Sequence, residues 1–414
     1  MTNLTSCQDS AAKQFMSFLC TPAKHMVISG PPGVGKTYML NHMIEMLPSS
    51  HRIATILGAE PLNNVVVSAT TNKAAEVLQE RFQTTVKTIH SALGLMVRDD
   101  YRTGETITTK GKNFQPLSDT LVLLDEASMA DTPLLNLIEE GTRRNCKIVF
   151  IGDHCQLAPV SEQISPVFNS GYLTSYLNTQ MRTNNSPELT LLNTQLRETV
   201  ETGVFRPIIP VPGVVDFLGD DAMRSAMQAH FIQQESPGHK ILAFTNNTVQ
   251  GYNQYIRTKK NLPPIVQVGD NVVSNNSIEC GSKRTVIEKN YAVYYVSEVK
   301  YDDVVPYYFV DIGIGTYVRQ PVDYSELQKF IRLAADRKDW VEYFRLKNGF
   351  ADLRFSYAST VHKSQGSTYH TVYIDIGDLC VCKDINQLAR LLYVAVSRAT
   401  TRVVFYGNPP RFMR

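Results

Sequence analysis

A glycine-rich stretch near the N-terminus has the residue types and spacing of a phosphate-binding loop. The sequence "GPPGVGKT" runs from Gly30 to Thr37, follows the apolar stretch "HMVIS" and matches the pattern G-x-x-x-x-G-K-[ST]. Such a loop turns backbone N–H groups towards phosphate oxygens, while Lys36 neutralises charge and Thr37 ligates Mg²⁺. The sequence therefore predicts that a nucleoside triphosphate binds at Gly30, Pro31, Pro32, Gly33, Val34, Gly35, Lys36, Thr37 and Tyr38.

Two adjacent carboxylates follow a later apolar run, about ninety residues after this loop. The stretch "LVLLDEAS" places Asp125 and Glu126 at a predicted strand end. There Asp125 would organise Mg²⁺ and Glu126 would act as the base for an attacking water. An acidic pair at a strand end also suits a helix cap. The phosphate-binding loop upstream favours the catalytic interpretation.

Three further side chains have the chemistry to act on a transferring phosphoryl group. In "IGDHCQLAPV", Gln156 can sense the γ-phosphate by a hydrogen bond while Asp153 fixes the loop. Arg182 in "LNTQMRTNNSP" and Arg398 in "LLYVAVSRATTR" carry planar guanidinium groups, which suit developing phosphoryl charge. Most arginines are solvated surface charges. Arg398 differs because the apolar run before it predicts a packed helix.

Three stretches rich in hydroxyl, amide and imidazole groups have the chemistry of a nucleic-acid track. They are "SATTNKAAEVL" (residues 68–78), "TIHSALG" (88–94) and "STVHKSQGST" (359–368). Such groups suit contacts to phosphate and sugar that ignore base sequence. Their shared position after predicted strands favours one continuous track.

The alternative interpretation of these stretches is structural. Thr70, Thr71 and Ser364 could begin helices, and His90 and His362 could be half-buried imidazoles with satisfied hydrogen bonds. For any single residue this alternative is at least as strong.

Two sets of short apolar runs, each ending in a polar cluster, position these residues. The first set is "MVIS", "VVVS", "LVLL" and "KIVFI", and the second is "KILAF", "ADLRFSYA", "TVYIDI" and "RVVFY". They predict buried parallel strands separated by helices, with ligands beyond the carboxyl ends of the strands. The second set has no G-K-T, so we expect two α/β domains that share one nucleotide in the cleft between them.

Two stretches fit neither predicted sheet. Residues 97–114 have turn residues between polar, Thr-rich arms, which predicts a protruding hairpin. Residues 263–349 are rich in Tyr and in short strand-like runs such as "YAVYYVSEV" and "PYYFVDI", which predicts an inserted β domain. Its helical appendage "SELQKFIRLAADRKDWVEYF" places Leu327, Phe330, Ile331 and Ala334 on one face, for which we expect core packing.

The composition excludes several classes of protein. With 414 residues, of which 43% are apolar, the chain can bury a large core over two to four domains. It has no apolar run long enough for a membrane span and no signal-peptide layout, so we expect a cytoplasmic protein. Seven Cys without C-x-x-C indicate reduced thiols. A net charge of +2 requires any nucleic-acid binding to come from a local groove.

Taken together, these motifs resemble those of the superfamily 1 helicases, and specifically of the superfamily 1B, RecD-like branch. "LTSCQ" with Gln8 resembles the Q motif, which reads adenine. The other matches are GPPGVGKT to motif I, SATTNKAA to Ia, TIHSALG to Ib, LLDEASM to II, IGDHCQLAPV to III, QMRT to IV, STVHKSQGST to V and YVAVSRA to VI.

The resemblance implies two RecA-like P-loop NTPase domains, ATP and Mg²⁺ as cofactors, 5′→3′ translocation on single-stranded DNA and strand separation. It implies Mg²⁺ ligands Thr37 and Asp125, and adds Gln8, Gln156, Arg182, Gly366 and Arg398 to the nucleotide site. It places DNA contacts at Thr70, Thr71, Asn72, Lys73, Thr88, His90, Thr245, Asn246, Ser359, Thr360, His362 and Lys363.

The resemblance also implies a domain plan. The first motor domain would span residues 1–175, with a strand-splitting pin inserted at about 95–117. The second would combine 176–262 with 350–414, and 263–349 would form an SH3-like domain with a helical extension that braces the pin. Tyr101 and Phe114 are the candidates for the strand-splitting residue.

The expected partners are single-stranded DNA and single-strand/double-strand junctions, with an ssDNA-binding protein or replication and recombination proteins as further candidates. We expect a monomer without membrane attachment, which acts in the host cytoplasm if the chain is of phage origin, as the resemblance allows. Two alternatives stay open, a superfamily 1 RNA helicase and an ATP-driven translocase that displaces proteins without unwinding. The first stays open because phosphate and sugar contacts discriminate DNA from RNA mainly at the 2′-hydroxyl.

Overall fold

The computed structural model describes residues 4–410, apart from residues 83–84, 160–161, 182–185, 235, 281–282, 287–289, 315–316 and 409. The chain divides into two compact units. Unit 1 comprises Met1–Met96, Thr108–Gly219 and Val361–Arg414, and unit 2 comprises Val97–Ile107 and Asp220–Thr360. Within the described ranges, no helix has both the length and the apolar character needed to cross a membrane.

The strands of both units are short and are separated by helices over most of the chain. In chain order they are β1 (His25–Ser29), β2 (Asn64–Ala69), β3 (Lys87–Thr88), β4 (Leu95–Asp99), β5 (Thr106–Lys110), β6 (Ser118–Asp125), β7 (Arg144–Gly152), β8 (Leu173–Tyr176), β9 (Val215–Leu218), β10 (His239–Ala243), β11 (Asn271–Ser274), β12 (Ser277–Cys280), β13 (Lys283–Val286), β14 (Asn290–Ala292), β15 (Tyr295–Val296), β16 (Tyr307–Asp311), β17 (Tyr317–Pro321), β18 (Leu353–Phe355), β19 (Ala358–Thr360), β20 (Tyr369–Asp375) and β21 (Ala399–Tyr406).

The α-helices range from one turn to more than five turns. They are α1 (Ser6–Leu19), α2 (Lys36–Ile56), α3 (Asn72–Arg81), α4 (Ile89–Leu93), α5 (Thr132–Gly141), α6 (Pro187–Thr202), α7 (Asp220–Met227), α8 (Asn246–Lys259), α9 (Tyr324–Asp336), α10 (Trp340–Gly349), α11 (Val361–Ser364), α12 (Ile376–Leu379) and α13 (Ile385–Val396).

A six-stranded parallel sheet forms the centre of unit 1, in the order β3-β2-β6-β7-β1-β8. The C-terminal halves of its central strands β6, β7 and β1 are mostly apolar and buried, as expected for a parallel sheet covered by helices. The register aligns the carboxyl ends: Ser29 pairs with Gly152, and Ala69 pairs with Asp125. The loops that follow β1, β2, β6 and β7 therefore leave the sheet at one edge, as the sequence predicts.

The second set of predicted strands also runs parallel. In unit 1, β21 pairs with β9 and β20, and in unit 2, β10 pairs with β19. The predicted α/β class with parallel sheets and inserted β elements is therefore confirmed. The strand predicted from "ADLRFSYA" is wrong as a single element, because β18 pairs antiparallel with β11 while β19 joins β10.

Unit 2 contains the small antiparallel sheets of the predicted insertion, β14-β11-β18, β15-β16-β17 and the hairpin β12-β13. The run "YAVYYVSEV" forms two strands instead of one. The first, β14, pairs with β11, and the second, β15, pairs with β16. The chain changes partner at Val293, whose N–H donates to the carbonyl of Asp270.

The predicted helical appendage is two helices, α9 and α10. The chain turns between them at Lys338, which has a φ of 57°, and the Asp339 side chain then caps α10 by accepting from the Glu342 N–H at 3.1 Å. Leu327, Ile331 and Ala334 are buried as expected, but Phe330 is 36% exposed. The prediction of core packing was therefore right for three of the four residues. The apolar face of α9 is wider than the part of it that is buried, so Phe330 lies at its exposed margin.

A buried arginine joins α8 to the small sheets within unit 2. Arg257 is 1% exposed and forms a forked pair with Asp270, with both N–O distances at 2.8 Å. Its guanidinium lies 3.9 Å from the ring centroid of Phe355 and also donates to the carbonyl of Ile265. Because its guanidinium contacts a carboxylate, a carbonyl and an aromatic ring at once, Arg257 holds α8 and the small sheets together.

We expect Asp270→Asn to lower the free energy of unfolding by about 3–5 kcal/mol, because it leaves the buried Arg257 without its counter-charge. Urea unfolding at neutral pH measures the change. Asp336→Asn, at an exposed position of α9, is the matched control and should have little effect. A loss of under about 1 kcal/mol for Asp270→Asn would show that the pair is not a structural anchor.

Candidate nucleotide and nucleic-acid site

The predicted phosphate-binding loop lies between β1 and α2 in unit 1. Gly33 and Gly35 have φ values of 90° and 82°, a conformation that side chains with a Cβ rarely adopt. Gly35 precedes the first turn of α2 and has no side-chain cap, so the N-terminal N–H groups of this helix remain for an anion. The Lys36 ammonium donates to the carbonyls of Gly30 at 2.7 Å and Pro31 at 3.0 Å.

The side chain of Gln8 forms hydrogen bonds that hold this loop in place. Its Oε1 accepts from the Thr5 N–H at 3.0 Å, as part of the capping box of α1, and its Nε2 donates to the Val34 carbonyl at 3.1 Å. The side chain is buried, and a Cβ on Gly35 would lie 2.8 Å from its Nε2. Gln8 therefore holds the phosphate loop against α1. Its contact with adenine stays a prediction.

The acidic pair lies at the end of β6, as predicted. The Glu126 N–H donates to Oδ1 of Asp125 at 2.8 Å, and Glu126 itself has a left-handed backbone with φ 53° and ψ 39°. A non-glycine residue in this conformation is strained, and such strain concentrates at functional sites. Burial, together with the neighbouring charge of Glu126, raises the pKa of Asp125, whereas the Lys36 charge opposes the rise.

This electrostatic environment fits a divalent cation. The nearby positive charge is too small to offset the burial that raises the pKa of Asp125, and a bound metal ion would supply more. Among the residues that the structure describes, no donor contacts Oδ2 of Asp125, so this oxygen is available as a ligand. Thr37, in the first turn of α2, is the second predicted ligand. When bound, Mg²⁺ would neutralise phosphate charge at this position.

The loop that follows β7 is held by charged side chains from two helices. Asp153, which is fully buried, accepts from Arg197 Nη1 at 2.6 Å and from the Tyr393 hydroxyl at 2.8 Å. Arg390 donates to the backbone carbonyls of His154 and Gln156, the latter at 2.6 Å. The loop is therefore fixed by residues of α6 and α13.

Gln156 itself is 4% exposed, and its Oε1 accepts from Gln365 Nε2 at 3.0 Å. Gln365 follows α11, in the stretch predicted as part of the nucleic-acid track. The structure thus joins the predicted γ-phosphate sensor to that track by a direct hydrogen bond.

Arg398 lies just after α13 and is 3% exposed, as its apolar context predicts. It donates to the carbonyls of Val394 at 3.1 Å and Ser367 at 3.2 Å, and to the Ser397 hydroxyl at 2.8 Å. Burial lowers the pKa of Arg398, while the negative charge of Glu126 acts in the opposite direction. Arg398 therefore belongs to the same charged pocket as the acidic pair. Arg182 lies outside the described residues.

The predicted track residues of β2–α4 have structural roles in addition to any contact with nucleic acid. Thr71 caps α3 by accepting from the Ala74 N–H at 3.2 Å, and Thr88 caps α4 by accepting from the Ser91 N–H at 3.2 Å. Thr70 donates to the Glu126 carbonyl at 2.8 Å. The capping interpretation therefore holds for Thr71, and Thr88, for which capping was not predicted, is a cap as well. Thr70 links this segment to the acidic pair.

Lys73, Asn72 and His90 complete this group. Asn72 begins α3, and His90 lies half-buried in α4, where burial lowers its pKa despite the charge of Asp131. Lys73 donates to the Lys363 carbonyl at 3.3 Å and to the Ser367 hydroxyl. Lys73 therefore connects the segment after β2 to the segment after β19 inside unit 1.

The remaining track residues lie around α8, β19 and α11. His362 and Lys363 are in α11, and Gly366, with a φ of 76°, follows it. Ser364 ends α11 rather than beginning a helix, because its hydroxyl donates to the Val361 carbonyl at 2.7 Å. In unit 2, Thr245 caps α8, Asn246 accepts from Arg354 at 2.7 Å, and Ser359 and Thr360 lie in β19.

The predicted hairpin is confirmed as strands β4 and β5. Its tip packs on α10 within unit 2. The Asn348 side chain donates to Asp99 at 2.7 Å, and the Tyr101 ring meets the Phe344 ring edge-to-face at 5.1 Å. A Cβ on Gly104 would lie 2.3 Å from the Trp340 ring, so the tip fits closely against this helix.

The two candidates for the strand-splitting residue differ in exposure. Tyr101 is 55% exposed at the hairpin tip, which fits a group that meets bases. Phe114 is partly buried against the core of unit 1, with the Lys110 ammonium 5.1 Å from its ring centroid. Its position favours a role at the hairpin base.

Four residues that hold the loop after β7 were missed in the sequence, namely Arg197, Gln365, Arg390 and Tyr393. A signal existed for two of them. Arg390 and Tyr393 are three positions apart, so they share one face of the otherwise apolar α13. For Arg197 and Gln365 the sequence offers no such signal, because their partners are more than forty residues away.

Comparisons with known proteins show which families and relatives the chain is similar to. A family profile described as an AAA domain matches residues 15–162, and one described as a UvrD-like helicase C-terminal domain matches residues 355–406. The chain is 24% identical to the ATP-dependent DNA helicase dda of Enterobacteria phage T4, over 97% of this chain and 99% of the relative. It is 22% identical to the RecBCD enzyme subunit RecD of Buchnera aphidicola subsp. Schizaphis graminum, over 94% and 71%.

Two solved structures have a similar fold. The Pif1 helicase from Candida albicans aligns with a TM-score of 0.51 at 17% identity, covering all of this chain and 96% of that one. A structure that describes DNA unwinding at forked double-stranded DNA by two coordinating Pif1 helicases aligns with a TM-score of 0.53 at 16% identity, covering 98% and 92%. At these identities the likeness concerns the fold alone.

Proposed function

We propose that this chain, which belongs to the RecD-like branch of the superfamily 1B helicases, is an ATP-dependent DNA helicase that moves 5′→3′ on single-stranded DNA and unwinds duplexes. One observation carries the proposal. Residues from distant parts of the chain meet around the phosphate loop and the acidic pair: Thr70 donates to the Glu126 carbonyl, Gln365 donates to Gln156, and Arg398 donates to the Ser367 carbonyl. The dda relative, which matches almost from end to end, is named an ATP-dependent DNA helicase.

In the proposed mechanism, the triphosphate binds at the N-terminus of α2, and Lys36 exchanges its loop carbonyls for phosphate oxygens. Glu126 accepts a proton from the attacking water, and Arg398 stabilises the charge that develops on the γ-phosphoryl group. Gln156 donates to a γ-phosphate oxygen. Thr37 and Asp125 would hold Mg²⁺.

Hydrolysis is coupled to movement by bonds that join the pocket to the track. Thr70 contacts the backbone of Glu126, and Lys73 contacts Ser367 in the loop after α11. Loss of the γ-phosphate removes a partner of Arg398 and Gln156, so the segments that carry these residues shift relative to the phosphate loop. Alternating grip at His90 and His362 then gives net movement. Because one chain supplies the whole described pocket, a monomer is sufficient.

Strand displacement tests the function. We expect ATP-dependent unwinding of duplexes with a 5′ single-stranded DNA tail, and much less with a 3′ DNA tail or an RNA tail. A labelled strand released from each substrate, with and without ATP, gives the measurement. The Lys36→Ala variant is the matched control for ATP dependence.

Preference for an RNA tail would favour the RNA-helicase alternative. ATP hydrolysis stimulated by DNA without strand release from any substrate would favour a translocase that only displaces proteins. Preference for the 3′ tail would contradict the proposed direction.

A further inference from the structure

The orientation of the Gln156 side-chain amide is set by another residue. Gln156 is 4% exposed, and its Oε1 accepts from Gln365 Nε2 at 3.0 Å. Within the part of the chain that the structure describes, no acceptor contacts Nε2 of Gln156. Because this N–H₂ group has no protein acceptor among the described residues, it remains able to donate to a bound ligand.

The backbone of Gln156 is fixed from two sides. Its carbonyl accepts from Arg390 at 2.6 Å, and its N–H donates to the Asp153 carbonyl at 3.1 Å. Asp153 is in turn held by Arg197 and Tyr393. The backbone of Gln156 is therefore fixed, and the freedom left at this position is in its side chain.

An amide that faces an anion must present its N–H₂ group, because its oxygen would repel the negative charge. The two groups differ by a half-turn of the amide plane and have the same shape, so packing alone cannot select between them. A hydrogen-bond donor beside Oε1 can select the orientation in which the oxygen faces that donor. Gln365 supplies that donor.

We propose that Gln365 is a positioning residue for nucleotide hydrolysis, which orients the Gln156 amide so that its N–H₂ group faces the γ-phosphate. The inference rests on the proposed function and deepens it. The Gln365 N–H donates to the His362 carbonyl at 3.3 Å, so the orienting group lies on the turn that closes α11. The predicted track residues His362 and Lys363 lie on that turn. Nucleic acid bound at His362 and Lys363 can therefore change the contact between Gln156 and the γ-phosphate through the hydrogen bond between Gln365 and Gln156.

Two substitutions separate this role from packing. Gln365→Ala removes the donor and leaves the Gln156 amide free to adopt either orientation. Gln365→Glu keeps the shape but offers only acceptors, so the Gln156 N–H₂ group turns towards Glu and the oxygen faces the phosphate. We expect kcat for ATP to fall about 3- to 10-fold for Gln365→Ala and about 10- to 100-fold for Gln365→Glu.

Nucleotide binding gives a second readout in the full-length chain. Affinity for the β,γ-imido analogue of ATP should fall in the order wild type, Gln365→Ala, Gln365→Glu, whereas affinity for ADP should stay unchanged because ADP has no γ-phosphate. In a Gln156→Ala background, Gln365→Glu should have no further effect on either nucleotide. Melting temperatures of all variants serve as the folding control.

The opposite order, with Gln365→Ala more damaging than the isosteric Gln365→Glu, would overturn the proposal and indicate a packing role. An equal loss of ADP affinity would also overturn it. If the wild-type chain binds the analogue but hydrolyses no ATP, the proposed function fails while the binding order still tests the role of Gln365.

Discussion

Lys36→Ala is expected to lower ATP hydrolysis by at least about 10²–10³-fold, the loss typical of removing one preorganised group that stabilises phosphoryl charge. The Lys36 ammonium lies 2.7 Å from the Gly30 carbonyl and 3.0 Å from that of Pro31, at the start of α2. Both carbonyls carry partial negative charge, so without the ammonium the loop presents repulsive oxygens to the phosphates. Weaker triphosphate binding and slower turnover should therefore occur together.

Phosphate release at saturating and sub-saturating ATP, with and without single-stranded DNA, measures both effects. Lys36→Arg should not restore activity, because a planar guanidinium does not fit a position built around a compact ammonium. Lys13→Ala, at an exposed site on α1 paired with Asp9, is the control for loss of a positive charge and should behave as the wild type. Hydrolysis by Lys36→Ala within a few-fold of wild type would contradict the assignment of the phosphate loop.

Arg398→Ala is expected to separate binding from turnover. Arginines that stabilise the transferring phosphoryl group contribute about 10³–10⁵-fold to kcat. Arg398 is buried beside the acidic pair, and the Glu126 charge acts on it. Since the phosphate loop itself is unchanged, ATP binding should remain measurable while kcat collapses. Single-turnover hydrolysis and equilibrium binding of the β,γ-imido analogue of ATP give the two quantities.

A folding control is needed because Arg398 also donates to the carbonyls of Val394 and Ser367. Arg398→Lys keeps a positive charge but loses the planar fork, so it should fold with at most a small loss of stability and still hydrolyse slowly. If Arg398→Lys and Arg398→Ala both melt like the wild type and hydrolyse ATP normally, Arg398 has no catalytic role. The charged pocket would then not be the site of hydrolysis.

The parts of the fold that local chemistry dictates could be predicted from the sequence. The strands that precede the phosphate loop and the acidic pair are continuous apolar runs, and the polar residues after them lie at one edge because parallel strands align their carboxyl ends. The hairpin β4-β5 followed from its turn residues. The run 351–358 was harder, because a single apolar run contains no information on which of two sheets each half will join.

The same distinction applies to the site. Lys36 could be proposed from the spacing of the phosphate-binding loop, and Asp125, Glu126, Gln156 and Arg398 from the apolar runs beside them. Their hydrogen-bond partners could not. Gln8 proved to support the phosphate loop through Val34, and Lys73 proved to bond to Ser367 in the loop after α11.

By itself, therefore, the sequence determined which polar residues follow the strands, the need for glycine in the phosphate loop and the fold class. Each of these depends on neighbours within a few positions along the chain. Only the tertiary structure decided which side chains share one pocket. The donor of Gln365 meets the acceptor of Gln156 across 209 positions, and a contact between groups so far apart depends on how the sheets and helices pack, which no local pattern of residues encodes.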